Sequence, residues 1–482
     1  MTGYVLRVEG VNFDACLYDT NSLPVIRGAS LLLDRVADPV GMALEQVLGR
    51  SIAPDRAGGA KAVFRFDADS ATAIRAENAA REALRAAPWR HMTFVLDLVE
   101  CSGDSSPAAE LIVEARNRSR QLREWSVAPC DMPLAWRQDA LDGMRSADPA
   151  CRDPKGPLSP ASAARLAFGR KMRHGFIAER IGAGGLERVE MADSFADLVA
   201  DPPPGLSVSA RAKMAVIHLD GDNFGVASEK ASDPAEFSRG IGAKSHELLD
   251  ALVRDALTQE AFERPDKPPR LRLEVLVWGG DDITLVVPAW RALGTLRAFY
   301  AGIDGWQVSG IPLGFTGGAV IASHKAPIRR MVQLATEAVG LAKAEGARGA
   351  CTLDIFESAS PPEDGLTAHR ARVWGGMGAK DLAFPGKRLG AVIQHLARWR
   401  DEAGKLYPSR AALHRLVLRN LEEGALLAEL TRDAVRVLGE APEEVAASGD
   451  NLRLPRLDGA GRPLAADLRL VCDLWDYAGA EA

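Results

Sequence analysis

The chain has 482 residues, more than one ordinary hydrophobic core supports, so we expect roughly two to four domains. Its apolar content of 47%, charged content of 26% and net charge of −6 are typical of a soluble globular protein. They exclude a chain that binds nucleic acid through its overall charge, so such contacts must come from local basic patches. The sequence has no signal-peptide pattern and no apolar run of membrane-spanning length, so we expect a cytoplasmic protein without membrane contact.

Strand and helix patterns alternate over the first 101 residues. Strands are predicted at Tyr4–Val11, Lys61–Phe66 and Met92–Val99, and helices within Leu23–Leu48 and over Ser70–Ala87. Ser70 is the expected N-cap of its helix, and there is room for one more strand before Gly58. The order β-α-β-α-β predicts a ferredoxin-like α+β domain at residues 1–101.

Residues 102–205 have few strand signals and are predicted to form a mostly helical linker domain. They are rich in arginine, with Arg116, Arg118, Arg120 and Arg123 close together. A solvated helix face is the more common reason for such a run. A surface for RNA, for nucleotide phosphates or for a protein partner is the alternative. Three consecutive prolines, Pro202 to Pro204, mark the end of this region.

A second alternating unit is predicted over residues 206–362. Its strands are Met214–Leu219, Leu271–Trp278, Ile283–Val287, Leu313–Ile321 and Cys351–Phe356, and its helices are Pro234–Ala261, Trp290–Gly302 and Ile328–Ala344. The outline repeats that of the first unit, including a Gly-Gly pair before a central strand. This recurrence predicts a diverged internal repeat. From about Gly365 the pattern is helical, and we expect a C-terminal helical bundle at residues 363–482.

Four aspartates of the second unit form the candidate metal site. Asp220 and Asp222 follow an apolar strand, and Asp281 and Asp282 follow Gly279-Gly280 in a predicted hairpin about sixty residues later. Either pair alone is typical of an ordinary turn or loop. Together, on neighbouring strands, they are typical of a palm domain, in which carboxylates hold two divalent cations about 4 Å apart. An all-oxygen ligand set favours Mg²⁺ or Mn²⁺.

Other residues near these motifs are candidates for nucleotide binding. Gly279-Gly280 lack side chains, so we expect a turn that approaches a nucleotide and adopts positive φ. Lys343 is placed to reach a triphosphate, or is a surface lysine of its amphipathic helix. Asn223 either bonds ribose or base or closes the turn, and Ser30 either binds a nucleotide or is a small helical residue. His218 is expected to be satisfied within the strand layers.

Three segments of the second unit resemble one protein family. HLDGDNFG (His218–Gly225), WGGDDITLVVPAW (Trp278–Trp290) and GFTGGAVIASHKAPI (Gly314–Ile328) are similar to the second palm of the large subunit of type III CRISPR effector complexes. Tyr18–Val36 together with GGAKAVFRF resembles that family's first, degenerate palm, which has no acidic pair. The C-terminal helices resemble its terminal bundle. The resemblance therefore implies two ferredoxin-like palm domains, a helical insert and a helical bundle.

The resemblance also implies an activity. In that family the palm pair converts ATP to cyclic oligoadenylates, which switch on effector proteins in antiviral defence. It implies Asp281 and Asp282 as the metal-binding catalytic pair, Asp220 as a further ligand, and Lys343 as a phosphate contact. Guide RNA, target RNA and other effector subunits are the implied partners.

The sequence departs from the family pattern at two points. It contains no His-Asp dipeptide, so we expect no HD nuclease domain and no DNA cleavage, and the paired-cysteine zinc motif is missing. An idle scaffold that binds RNA and protein is therefore one alternative, which the arginine cluster favours. A cyclase of the diguanylate type, acting on GTP, is another, although its hairpin has Glu where Asp282 stands.

Overall fold

A computed structural model describes most of the chain. The described residues are 2–101, 106–121, 137–181, 189–231, 234–264, 268–308, 310–356, 361–374 and 379–386, with Leu389, Arg415, Asp476 and Tyr477. The predicted C-terminal helices after Leu389, together with Arg123, lie outside these residues. Two compact units make up the chain: one comprises residues 1–187, 228–246 and 275–283, and the other residues 188–227, 247–274 and 284–482.

An antiparallel sheet of four strands organises the N-terminal residues. Its strands are β1 (Thr2–Gly10), β2 (Arg56–Gly58), β3 (Lys61–Ala68) and β4 (Phe94–Cys101), in the order β2-β3-β1-β4. The three predicted strands are confirmed, and β2 fills the place expected before Gly58. This strand order is the one that a split β-α-β arrangement produces, because the connection from β1 to β2 passes over β3 and the connection from β3 to β4 passes over β1.

Helices cover both faces of this sheet. They are α1 (Phe13–Leu17), α2 (Leu23–Asp34), α3 (Ala37–Leu48), α4 (Ser70–Arg85) and α5 (Ser106–Gln121), with a 3₁₀ turn at Trp89–His91. Leu6 and Phe64 pack with α3 and α4 on one face, and Val5 packs with Val113 of α5 on the other. The N-cap prediction was off by one residue. Asp69 caps α4, because its carboxylate accepts a hydrogen bond from the Thr72 amide at 2.9 Å.

The arginine-rich region contains a short hairpin that the sequence did not predict. β5 (Asp148–Asp153) pairs with β6 (Gly156–Leu158), and α6 (Pro160–Lys171) and α7 (Gly175–Ile181) follow. Two glycines bring α6 against α2. A Cβ on Gly28 would collide with the Arg165 carbonyl, and one on Gly169 would collide with the Pro24 carbonyl. The Gly28 that precedes Ser30 is therefore required for close helix packing.

The second half of the chain is built around a six-stranded sheet. The helices and strands of this half of the chain are, in order, β7 (Glu190–Met191), α8 (Phe195–Leu198), β8 (Lys213–Asp222), α9 (Phe224–Lys230), α10 (Pro234–Glu263), β9 (Arg270–Leu271), β10 (Glu274–Trp278), β11 (Asp282–Pro288), a 3₁₀ turn (Ala289–Arg291), α11 (Ala292–Gly302), β12 (Gln307–Val308), β13 (Ile311–Pro312), β14 (Gly314–Ser323), α12 (Ile328–Ala344), β15 (Ala350–Ile355), α13 (Gly365–Trp374), α14 (Ala379–Leu382) and β16 (Phe384–Pro385). The sheet order is β10-β11-β8-β14-β15-β16. Its first four strands repeat the order of the N-terminal sheet, as the predicted internal repeat requires.

One predicted strand of this half is divided. The stretch Leu271–Trp278 forms β9 and β10 with a break between them. At the break the Arg272 guanidinium is fully buried and bonds the Glu260 carboxylate at 2.8 Å and the Leu198 carbonyl at 2.6 Å. A buried charge has to be paired and hydrogen-bonded, and this requirement outweighs the strand pattern of the flanking residues.

The centre of the sheet positions the candidate site. β8 is buried along most of its length, and its residues from Met214 to Leu219 are apolar except for His218, because both faces of the strand are covered. Helix α12, at the predicted bounds, packs over β14 and β8 at very close range, since a Cβ on Gly318 would collide with the Ala335 carbonyl. This approach places the C-terminal turn of α12 beside the end of β8.

Candidate functional site

The end of β8 presents two carboxylates of different exposure. The Asp220 side chain is 46% exposed, whereas that of Asp222 is 6% exposed. Both lie within ion-pair distance of one ammonium group, the Nζ of Lys343, at 3.0 Å from Asp220 Oδ1 and 3.2 Å from Asp222 Oδ1. Alternate residues of a strand point to the same side, so one ammonium group can reach both carboxylates.

Lys343 is a residue of this site and not a free surface lysine. Its Nζ also donates to the Gly221 carbonyl at 2.9 Å, and its side chain is 17% exposed. It lies in the last turn of α12, where a cation is also favoured by the helix dipole. The sequence did not predict the contacts of Lys343 with Asp220 and Asp222, and its contact with phosphate stays a prediction.

Asp222 has further partners that the sequence did not indicate. Its Oδ2 accepts hydrogen bonds from the Thr316 hydroxyl at 2.8 Å and from the Gly349 amide at 3.1 Å, and its Oδ1 lies 3.1 Å from Arg348 Nη1. Thr316 comes to this place only because β14 pairs with β8 in the register Thr316 to Asp220. The sequence analysis missed Arg348 as well, although its place five residues after Lys343, just beyond the end of α12, is a signal that could have indicated it.

The Gly-Gly-Asp-Asp segment forms a tight turn between β10 and β11. The Gly279 amide donates to the Asp282 carbonyl at 2.7 Å, and the side chains of Asp281 and Asp282 are exposed. The expectation of positive φ was wrong, because neither glycine lies in that region. Gly279 leaves space instead: a Cβ there would stand 3.1 Å from the Asp282 carbonyl oxygen, a tight contact that the turn would have to relieve by a small shift.

Three further sequence candidates occupy defined places. Asn223 has φ of 69° and its carbonyl accepts from the Ala227 amide at 2.9 Å, so it turns the chain from β8 into α9. Ser30 lies half-buried on α2. His218 is buried, and its Nδ1 lies 3.1 Å from the Thr284 hydroxyl. Burial lowers the pKa of His218 from 6.5 to about 4, so the ring is neutral at pH 7, as a histidine inside the strand layers should be.

The carboxylates at the end of β8 have the charge and the oxygen atoms that a divalent cation needs. Within the described ranges, no three His, Cys, Asp or Glu side chains converge into a ready metal site. The ammonium of Lys343 nevertheless already stands between two carboxylates, so the end of β8 attracts a cation. Asp282 is the first residue of β11, and β11 is the neighbour of β8 in the sheet order. Oxygen ligands of this kind suit Mg²⁺ or Mn²⁺.

Comparisons with known proteins agree with this architecture. Residues 213–352 match the family model of the second palm domain of Cas10/Cmr2. No curated protein sequence matches the chain. In the part of the chain that the structure describes, no helix is long and apolar enough to cross a bilayer.

Several solved structures share the fold at low sequence identity. Csm1 of T. onnurineus is 13% identical with a TM-score of 0.55, and the match covers 99% of this chain and 69% of that chain. A Csm1–Csm4 cassette in complex with cA4 is 15% identical with a TM-score of 0.54, covering 99% and 70%. A cassette with AMPPNP is 14% identical with a TM-score of 0.55, covering 99% and 70%. The chain therefore resembles the Cas10-like large subunit of type III CRISPR complexes, with residues 213–352 as its match to the second palm domain.

Proposed function

We propose that the chain is a cytoplasmic nucleotidyltransferase that joins ATP into cyclic oligoadenylates in CRISPR-type antiviral defence. The observation that carries the proposal is the ammonium group of Lys343, which lies between Asp220 and Asp222 at the end of β8. Lys343 Nζ lies 3.0 Å from the partly exposed Asp220, on a strand whose sheet neighbour β11 begins with Asp282. The match to the Cas10/Cmr2 second palm covers all of these residues. The cA4 and AMPPNP of the similar cassettes belong to those proteins and support the nucleotide class.

Asp220, Asp281 and Asp282 are the proposed metal ligands and the catalytic carboxylates. Bound Mg²⁺ or Mn²⁺ would favour ionisation of an attacking 3′-hydroxyl and stabilise the leaving pyrophosphate. The chain's own residues supply the negative charge and the position: the two exposed turn carboxylates stand on a tight hairpin, and Asp220 stands at a strand end. Rigid elements hold such groups more exactly than loops do.

The remaining residues are proposed to bind nucleotide. Lys343 contacts the triphosphate, and Gly279-Gly280 let the nucleotide approach the turn because no side chain covers their backbone. Asn223 contacts ribose or base. We also propose that the N-terminal sheet is a degenerate palm with a nucleotide near Ser30, since its strand order repeats that of the second sheet while its Gly-Gly turn has no acidic pair.

A product assay tests the proposal. The purified protein is incubated with each of the four NTPs and Mg²⁺ or Mn²⁺, and the products are identified by mass spectrometry. We expect an oligoadenylate that Asp281→Ala/Asp282→Ala does not form. Glu82→Ala/Asp364→Ala is the matched control, because it removes two exposed carboxylates that pair with the exposed arginines Arg85 and Arg372. A product that both double variants form equally would contradict the proposed site.

A scaffold role is the second candidate, and exposed arginines favour it. The side chains of Arg118 and Arg120 on α5 are 75% and 51% exposed. In this alternative the chain binds guide or target RNA and other effector subunits without turnover, and its RNA affinity falls steeply with salt. No product from the protein alone, and none after addition of guide and target RNA, would favour the scaffold. Consumption of GTP with ATP untouched would favour a cyclase of the diguanylate type.

A further inference from the structure

Asp222 differs from Asp220 in the number of donors around it. The Oδ2 of Asp222 accepts from the Thr316 hydroxyl and the Gly349 amide, and its Oδ1 faces the Lys343 ammonium at 3.2 Å and Arg348 Nη1 at 3.1 Å. A carboxylate offers about four lone-pair sites, so these four donors saturate it. A cation that bound Asp222 would have to displace two positive side chains from a nearly buried group.

The same donors tie together three parts of the chain. Lys343 lies in the last turn of α12, while Arg348 and Gly349 lie in the turn that leads into β15. The Gly349 amide also lies 3.2 Å from the Thr316 hydroxyl, so the strand β14, the turn and the helix end meet at one carboxylate. Hydrogen bonds in which one partner is charged are stronger than neutral ones, and a buried network of this kind fixes side-chain positions.

Charge balance explains why Lys343 needs Asp222 as a partner. The ammonium is shared between Asp220 and Asp222. Once Asp220 is engaged with a divalent cation, it no longer attracts Lys343, and like charges nearby repel the ammonium. Asp222 then remains as its counter-ion. Without Asp222, a lysine with four rotatable bonds would turn toward solvent.

We propose that Asp222 is a positioning residue, which holds Lys343 and the Arg348-Gly349 turn beside the site and does not bind the metal ion. The inference rests on the proposed function for the contact between Lys343 and a triphosphate. It assigns different roles to two aspartates that stand two residues apart in the sequence. The exposed oxygens of Asp220 bind the metal ion, and Asp222 holds the Lys343 ammonium, which contacts the nucleotide.

Metal and nucleotide affinities, measured separately, test this role. Mn²⁺ binding is followed by electron paramagnetic resonance, and binding of AMPPNP with Mg²⁺ by calorimetry, for the full chain and for Asp222→Asn and Asp220→Asn. Asparagine retains an acceptor for Thr316 but loses the charge that holds Lys343. We expect Asp222→Asn to keep its Mn²⁺ affinity while its AMPPNP affinity falls about tenfold, the loss of one charged hydrogen bond. Asp220→Asn is expected to lose Mn²⁺ binding.

A Lys343→Met background separates positioning from general damage. If Asp222 acts through Lys343, adding Asp222→Asn to Lys343→Met costs no further AMPPNP affinity, because the two residues belong to one interaction. The double variant loses one negative and one positive charge, so no buried charge is left unpaired by the change. Its Mn²⁺ affinity can therefore be measured if Asp222→Asn alone does not fold. Lost Mn²⁺ binding in Asp222→Asn and in the double variant, or full additivity with Lys343→Met, would overturn the inference.

The outcomes distinguish the inference from the proposed function. Wild-type protein that binds Mn²⁺ and AMPPNP, with Asp222→Asn behaving as Asp220→Asn does, contradicts only the positioning role. Wild-type protein that binds neither contradicts the proposed function, and the nucleotide-directed role of Asp222 with it.

Discussion

Gly59 and Gly279 lie so close that a Cβ on Gly59 would stand 4.0 Å from the Cα of Gly279. Gly59 follows β2 in the N-terminal sheet, and Gly279 opens the turn that carries Asp281 and Asp282. The two Gly-Gly turns that the internal repeat predicts are therefore neighbours in space. A side chain on the first turn would reach the backbone of the second.

A large side chain at Gly59 is expected to disturb the Asp281-Asp282 turn. Gly59 has φ of +57°, so Gly59→Leu also costs about 1–2 kcal/mol of stability from backbone strain. Gly49→Leu is the matched control, because Gly49 has φ of +70° with nothing within 4 Å of its Cβ position. We expect similar losses in thermal stability for both variants but reduced Mn²⁺ affinity only for Gly59→Leu. Equal Mn²⁺ affinities would show that the approach of the turns has no consequence for the site.

Two buried threonines on adjacent strands are expected to respond oppositely to valine. Thr316 and Thr352 are both fully buried, but the Thr316 hydroxyl bonds Asp222, whereas the Thr352 hydroxyl has no hydrogen-bond partner among the described residues. Thr316→Val removes a donor from a buried carboxylate and should cost about 1–3 kcal/mol of unfolding free energy. Thr352→Val should be neutral or stabilising, because it replaces an unpaired buried hydroxyl. Urea denaturation of both variants measures the difference, and equal losses would mean that the Asp222 bond contributes nothing.

Replacing Glu260 is expected to destabilise the protein far more than replacing an exposed carboxylate. It is fully buried, and its carboxylate bonds Arg272 at 2.8 Å and Arg291 at 3.0 Å. Glu260→Gln leaves the buried Arg272 guanidinium without its carboxylate, while Arg291 keeps Glu263 at 2.9 Å. We expect it to destabilise the protein by about 3–5 kcal/mol. Asp250→Asn, which breaks an exposed pair with Arg254, should cost less than about 1 kcal/mol. Comparable melting temperatures of the two variants would contradict this ranking.

The neutral state of His218 predicts a loss of stability in acid. Burial lowers its pKa from 6.5 to about 4, so between these values the unfolded chain binds a proton that the folded chain does not. Stability from this group is complete above pH 6.5 and falls as the pH is lowered toward 4, by roughly 3 kcal/mol in total. Denaturation curves at several pH values, measured in EDTA, should show a smaller decrease for His218→Gln than for the wild type. Parallel pH profiles would mean that His218 is not the group responsible.

The sequence by itself determined the elements and the acidic motifs. The strand and helix order of both sheets and the bounds of α12 follow from hydrophobic periodicity, and the two acidic motifs follow from residue type and spacing along one chain. Such patterns report which face of an element is buried, because that face has to be apolar.

Only the tertiary structure decided how those elements meet. Thr316, Gly349 and Asp222 come together through strand register and a turn, so their contact has no signature in the linear sequence. The Asp69 cap, the β5–β6 hairpin, the break at Arg272 and the ordinary φ of Gly279 were likewise missed or mistaken. Each depends on a partner distant in sequence or on local backbone geometry, and such contacts are settled by packing and by the need to satisfy buried polar groups rather than by residue type.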